Sequence, residues 1–271
     1  MAKVVVVTSG KGGVGKTTST AAIGAALAHN GEKVVVVDFD VGLRNLDLVM
    51  GAERRVVFDL INVIQGDAKL SQALIRDKRL DSLFILPASQ TRDKDALTDG
   101  GVAKVIAELR EKFDWVLCDS PAGIERGATL AMHHADCAVV VTNPEVSSVR
   151  DSDRIIGMLD SKTAKAERGE RMEKHLLLTR FDVARAARGD MLKTEDVLEI
   201  LSIPLLGIIP ESPEVLRASN LGIPVTLNAP QSAPARAYFD AVRRLRGEQL
   251  EVSVPVEKRG LVDRLFGRRV A

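Results

Sequence analysis

Gly10-Lys11-Gly12-Gly13-Val14-Gly15-Lys16-Thr17 spells G-x-x-x-x-G-K-[ST], and its setting matters as much as its spelling. Val4 to Val7 precede it as an unbroken run of stiff β-branched residues, the mark of a buried strand. Behind it, Lys16 to Asn30 carries apolar residues at helical spacing and closes at Asn30-Gly31, a helix-stop pair. Strand, glycine-rich loop and helix N-terminus together form a phosphate cradle. The glycines let backbone N–H groups close on phosphate oxygens, and the helix start adds partial positive charge. In that cradle Gly12, Gly13, Val14, Gly15, Lys16, Thr17 and Thr18 are the candidate ATP-binding residues. Lys16 would neutralise β- and γ-phosphate charge, and the Thr17 hydroxyl would ligate Mg²⁺. The rival is a strand-to-helix turn that binds nothing, but with glycine near 7% of residues a chance match is on the order of 1%.

Outward from the loop, short Val/Ile/Leu runs alternate with segments of helical period. Strands are predicted at Val4–Thr8, Val34–Asp38, Leu83–Leu86, Trp115–Asp119, Ala138–Thr142, Leu176–Thr179 and Leu205–Ile209. Most are apolar throughout, as strands covered on both faces must be. Helices are predicted at Lys16–Asn30, Val102–Phe113, Glu145–Leu159 and Ala233–Arg246, the third with Asn143-Pro144-Glu145 as cap, first-turn proline and dipole-matching acid. The fold class is α/β, a mostly parallel P-loop sheet with helices on both faces and a C-terminal amphipathic segment. Residues 1–247 read as the ATPase domain, 248–257 as a linker and 258–271 as a separate tail.

The bulk properties exclude several classes. The 271 residues carry 38 basic against 37 acidic side chains, so no global field draws nucleic acid and a DNA partner is not expected. The N-terminus lacks the apolar length of a signal peptide, and no apolar run nears the ~20 residues that cross a bilayer. Cys118 and Cys137 read as buried small hydrophobes of a reduced, cytoplasmic protein. No C-x-x-C supports an iron–sulfur centre, and His133-His134 lacks metal-ligand spacing.

Three carboxylates stand at strand ends, where ligands of such sheets collect. Asp119 closes the run from Trp115 and would hold Mg²⁺ directly or through water; Asp38 and Asp40 close the run from Val34. An isolated strand-end Asp is usually a turn former. Three beside a phosphate loop favour a metal–phosphate site. No Asn-Lys-x-Asp guanine-reading motif occurs, which leans toward ATP.

Lys11 narrows the class, because a second lysine after the first loop glycine is unnecessary for holding phosphates within one subunit. The full string resembles the deviant Walker-A (ParA/MinD) ATPase family, and the resemblance covers nearly the whole chain. It implies an ATP-dependent homodimer in which Lys11 reaches the partner subunit's nucleotide, with Lys11, Lys16 and Asp40 catalytic. Asp38-Phe39-Asp40-Val41-Gly42-Leu43-Arg44-Asn45-Leu46-Asp47 is similar to that family's first switch, Asp40 positioning the attacking water and Arg44, Asn45 and Asp47 sensing the dimer partner. Asp119-Ser120-Pro121-Ala122-Gly123-Ile124-Glu125 is similar to its second switch. By the same analogy adenine lies near Arg180, Pro210 and Glu211. The septum-placement branch further implies that Asp151 and Asp153 receive a MinC-like inhibitor and a MinE-like activator. A ParA-type partition ATPase or a flagellar-placement ATPase of the same family is the alternative.

The tail carries Lys258, Arg259, Arg264, Arg268 and Arg269 against Asp263 alone. On a 100° wheel Leu261, Val262, Leu265 and Phe266 share an arc of roughly 140°, with Arg264 opposite and Arg268 beyond. An apolar face with a basic rim suits an anionic membrane surface and implies a peripheral position on the inner face of the plasma membrane. The tail's rival role is a helix packed on the protein's own core.

Overall fold

The computed structural model describes residues 2–90 and 96–254. The tail residues Leu261, Val262, Arg264, Leu265, Phe266 and Arg268 lie outside them. Eight strands, β1 (Lys3–Thr8), β2 (Val34–Asp38), β3 (Ile75–Arg76), β4 (Leu83–Leu86), β5 (Trp115–Asp119), β6 (Cys137–Thr142), β7 (Glu173–Phe181) and β8 (Leu205–Pro210), form one sheet ordered β3-β4-β2-β5-β1-β6-β7-β8. Every described pairing is parallel except the antiparallel edge of β3 on β4.

Helices fill the connections: α1 (Lys16–His29), α2 (Leu46–Val49), α3 (Leu60–Gln65), α4 (Leu70–Ala73), α5 (Asp99–Lys112), α6 (Arg126–His133), α7 (Val146–Leu159), α8 (Ala164–Glu167), α9 (Val183–Arg188), α10 (Thr194–Leu201), α11 (Pro213–Asn220), α12 (Val225–Asn228) and α13 (Ala233–Leu245). Strand side chains alternate between two cores. Val4, Val6, Val35 and Val37 join α3, α5, α6, α7 and α10 on one face. Val5, Val7, Val34 and Val36 join α1, α12 and α13 on the other. Burial on both faces is why these strands are apolar throughout and show no period of two.

Three local readings needed correction. Asn143 does not cap α7: the helix starts at Val146 with Glu145 at the N-cap position and no side-chain cap, while Asn143 Oδ1 accepts a hydrogen bond from Thr179 Oγ1 at 2.9 Å. The helix expected from Val102 begins at Asp99, because Thr98 Oγ1 accepts the Gly101 N–H and carries the first turn through Gly100-Gly101. β7 runs on to Phe181, with Arg180 in the left-handed region at φ 52° where the pairing with β8 shifts register. The stretch read as a linker has neither helix nor strand from Glu248 to Val254, yet Arg244 bonds the carbonyls of Leu206, Leu250 and Glu251 and ties it to β8.

α1 lies close on the sheet because Gly24 faces β2: a Cβ there would stand 2.7 Å from Val36 Cγ1 and 3.4 Å from Leu117 Cδ1. That closeness aims the helix's first turn at the sheet's carboxyl edge. Gly24→Val should therefore destabilise the protein by about 1–3 kcal/mol through overpacking. Urea unfolding checks this; an unchanged midpoint would show that the helix can move away freely.

Candidate functional site

The order β2-β5-β1 places three strand ends side by side under the glycine-rich loop. Asp38 pairs in register with Asp119, and Asp119 with Val7. The loop after β1 turns through Gly13 (φ 76°) and Gly15 (φ 96°), a conformation that costs glycine least, and delivers Lys16 into the first turn of α1. Lys16 Nζ donates to Ser9 Oγ at 3.0 Å, and Ser9 Oγ donates to the Lys11 carbonyl at 2.7 Å.

Only 8% of Lys16 is exposed, and burial lowers its pKa against the opposing pull of Asp119 and Asp40. Asp38 is fully buried; burial and then repulsion by Asp119 raise it well above the carboxylate range, although its oxygens accept the Asp40 N–H at 2.8 Å and the Leu46 N–H at 3.2 Å. Burial raises Asp119 to about 6, while the Thr17 hydroxyl, the Lys16 charge and the Thr20 hydroxyl, 3.0 Å away, pull it down. A buried pair of carboxylates held in adjacent register is short of positive charge. Carboxylate and hydroxyl oxygens form the donor set of a hard cation such as Mg²⁺, so Thr17, Asp38 and Asp119 fit the ion.

Above these groups a cleft of ≈ 500 Å³ is lined by Gly12, Gly13, Lys16, Thr17, Asp40 and Asn45, among others. A second cleft of ≈ 300 Å³ shares Gly15, Thr18 and Arg180 with the first and extends to Pro210 and Glu211. Arg180, Pro210 and Glu211 thus surround one space contiguous with the phosphate loop. Its more apolar walls, Ile209, Val215, Leu216 and Tyr238, suit a flat heterocycle. Tyr238 shares a 2.9 Å hydrogen bond with Ser19 and lies in α13, more than 200 residues from the loop, where no local pattern could announce it. Thr179, at the same junction, places its hydroxyl 2.6 Å from the Val14 carbonyl and 2.9 Å from Asn143 Oδ1. Its single proton serves one of them at a time.

Lys11 does not line the cleft: its ammonium lies 3.2 Å from Glu145 Oε2 and 2.9 Å from Ser147 Oγ, half exposed beside the start of α7. Arg44, at φ 45°, holds Nε 2.8 Å from Asp47 Oδ2, an ion pair off the hydrogen-bond axis, and burial still raises the Asp47 pKa despite the Arg44 charge. Asp151 and Asp153 both lie on α7, but they are not equivalent. Asp153 is exposed, whereas the backbone of Asp151 presses on the phosphate loop so closely that a Cβ on Gly10 would fall 2.2 Å from the Asp151 carbonyl oxygen.

These features define a class of P-loop proteins, and the model of the CobQ/CobB/MinD/ParA nucleotide-binding domain matches residues 5–225. The chain belongs to that family, on its septum site-determining MinD branch, and is a P-loop ATPase. It is 62% identical over 270 residues to the septum site-determining protein MinD of Escherichia coli K12, covering 98% of this chain and all of that one. A MinC:MinD cell division protein complex from Aquifex aeolicus contains a chain 42% identical to it (TM-score 0.79, covering 95% of this chain and 99% of that one). The septum site-determining MinD of Pyrococcus horikoshii complexed with Mg-ADP is 32% identical (TM-score 0.80, covering 91% and 97%).

The Asp119 shift sets a pH dependence of stability. Its folded pKa of about 6 exceeds the unfolded value of ~3.9, so the folded chain holds the extra proton between those limits and loses stability as pH rises through that window. Asp119→Asn should make that decline shallower, the remainder belonging to Asp38, and at pH 7.5 stabilise the nucleotide-free protein by about 1–3 kcal/mol. Thermal melts from pH 4 to 8 read this directly; a variant less stable than the parent at pH 7.5 would contradict it.

Proposed function

We propose that this chain is an ATP-driven, dimerising ATPase of division-site placement that binds the inner membrane surface when loaded with ATP. The observation that carries the reading is that Lys16, Thr17 and Asp40 line one cleft and the buried Asp38 and Asp119 stand in register at the adjoining strand ends, while the Lys11 ammonium pairs with Glu145 and Ser147 instead of lining that cleft. Backbone N–H groups from Gly12 to Thr18 and the Lys16 ammonium bind the phosphates, and the neighbouring cleft of Arg180, Pro210 and Glu211 takes adenine. Thr17, Asp38 and Asp119 would hold a magnesium ion, which would supply charge neutralisation on the phosphates. Asp40, at the cleft wall, orients the attacking water and accepts its proton.

Lys11 completes the partner subunit's site. Support comes from its position and from the cleft's surroundings: Leu43 on its wall, Ile124 in the second-switch segment and Val146 beside the Lys11 contact are all more than half exposed. Apolar side chains gathered around a charged cleft fit a face that a second copy covers. On this reading Asn45, which is exposed, meets that copy directly, whereas Asp47, fully buried against Arg44, senses it only through the Arg44 side chain. The Aquifex aeolicus complex supports a MinC-like partner, and Asp151 and Asp153 on α7 are the proposed docking residues for it and for a MinE-like activator. Contact between Asp151 and Gly10 gives an activator a direct mechanical route to the phosphate loop.

Among the described residues no helix is long and apolar enough to cross a membrane. The proposed attachment is the sequence pattern of residues 258–271, an amphipathic anchor beyond the 248–257 linker. One anchor burying four apolar side chains binds weakly, and two presented side by side gain the effective concentration of a linked pair. Dimerisation thereby switches membrane binding on and hydrolysis switches it off.

Specific ATPase activity should rise with protein concentration until dimers saturate, and Lys11→Ala should bind ATP as a monomer without dimerising or hydrolysing it. Sedimentation velocity with ATP against ADP, beside the activity titration, checks this; concentration-independent activity from a monomer refutes it. Deleting the residues after Pro255 should abolish sedimentation with anionic liposomes in ATP and leave nucleotide binding and dimerisation intact. Retained sedimentation by the truncated chain, or equal binding of the full chain in ADP, contradicts the anchor.

A further inference from the structure

Far from either sequence motif, the turn between β3 and β4 carries a charged clamp. Asp77, 3% exposed, accepts hydrogen bonds from the Arg79 backbone N–H at 2.7 Å, from Arg79 Nε at 3.0 Å and, through its second oxygen, from Arg79 Nη2 at 2.6 Å. These donors, led by the Arg79 side chain, hold the Asp77 carboxyl below its ordinary pKa against the effect of burial. Thus fixed, the guanidinium reaches two carbonyls on different parts of the chain: Met50 at 2.7 Å from Nη2 and Gly222 at 3.0 Å from Nη1.

The two carbonyls matter because of what they terminate. Met50 ends α2 and the segment that starts at Asp38 and carries Asp40, Arg44 and Asp47. Gly222 follows α11, whose Val215, Leu216 and Ser219 wall the second cleft. Their backbones touch at Gly51 and Gly222, both at positive φ (64° and 63°): a Cβ on Gly51 would stand 2.6 Å from the Gly222 oxygen, and one on Gly222 2.7 Å from Gly51 Cα. No other residue type permits that approach without moving one backbone. A planar cation with five donors is the one side chain that can pair a carboxylate in two places and still hold two carbonyls.

We propose that Arg79 is a positioning residue for hydrolysis, locking the wall of the base cleft to the loop that carries Asp40 so that a seated base sets where Asp40 stands. This rests on the reading of the second cleft as the base site and of Asp40 as the water-positioning group. Arg79 touches neither cleft; it acts through the Gly51–Gly222 contact.

The test uses the full chain. Arg79→Lys keeps a cation beside Asp77, so the fold survives, but an ammonium cannot hold both carbonyls. Gly222→Ala instead keeps the guanidinium and forces the two backbones apart. Calorimetric titration with Mg²⁺-ADP counts competent sites, and ATP turnover is then expressed per site. For both variants the expected result is a Kd for ADP within about threefold of the parent and turnover per site reduced about tenfold, the scale at which a small misplacement of a reacting group is felt. Amide exchange should rise together in residues 40–50 and 213–223. Unchanged turnover per site, exchange rising in only one of the two segments, or activity lost only in proportion to sites would each overturn the proposal. Asp40→Ala, run alongside, separates the underlying reading: normal hydrolysis by it removes the role given to Asp40, whereas the paired exchange measurement judges Arg79 by itself.

Discussion

Asp38 and Asp119 stand in register on neighbouring strands, both withdrawn from water, and the Lys16 ammonium offsets the charge of Asp119. An apolar interior does not tolerate two such carboxylates unless they are protonated or bound to a cation. The surrounding architecture serves to hold them there. β2, β5 and β1 are the central strands, covered on both faces, and the loop after β1 brings Lys16 back over their ends. Their burial, with the repulsion of Asp38 by Asp119, lowers the stability of the nucleotide-free chain at neutral pH, and the same charge deficit is what makes the donor set fit a hard cation.

Around that centre the contacts are unusually direct. The phosphate loop meets α7 backbone to backbone at Gly10 and Asp151, and it meets the end of β7 through the Thr179 hydroxyl on the Val14 carbonyl. Both junctions involve elements that also face outward, α7 to solvent and β7 to the second cleft through Arg180. Arg44 and Arg180, two of the three described non-glycine residues at positive φ, both belong to segments bordering the clefts. Backbone held in a sparsely populated region persists where the surroundings over-determine it. Here the surroundings are the Asp47 ion pair for Arg44 and the β7–β8 register shift for Arg180.

Lys11 shows how far one protomer can be understood alone. Its ammonium has partners in its own chain, Glu145 and Ser147, and contributes nothing to its own cleft. On the proposed reading, a cation in that place changes partners when a second copy arrives. Exposed pairs of this kind contribute on the order of 0–1 kcal/mol, so exchanging them costs little.

The sequence by itself determined the strand–loop–helix unit, the parallel α/β class and the seven longer strands, because each depends on short-range rules: β-branched runs, helical spacing, glycine where the backbone must approach a ligand. Residues such as Lys16 and Asp119 were legible for the same reason, lying within or at the end of such units. Tertiary structure alone decided the rest. The two-residue β3 and the four-residue helices are too short to carry a period; Asn143 was drawn from capping α7 to serve Thr179 across the sheet. Tyr238 and Arg79 owe their places to contacts with chain segments far away in sequence, Ser19 for one and Gly222 for the other. A local pattern carries no record of such a partner, since the free energy that selects it exists only once the two segments have been brought together.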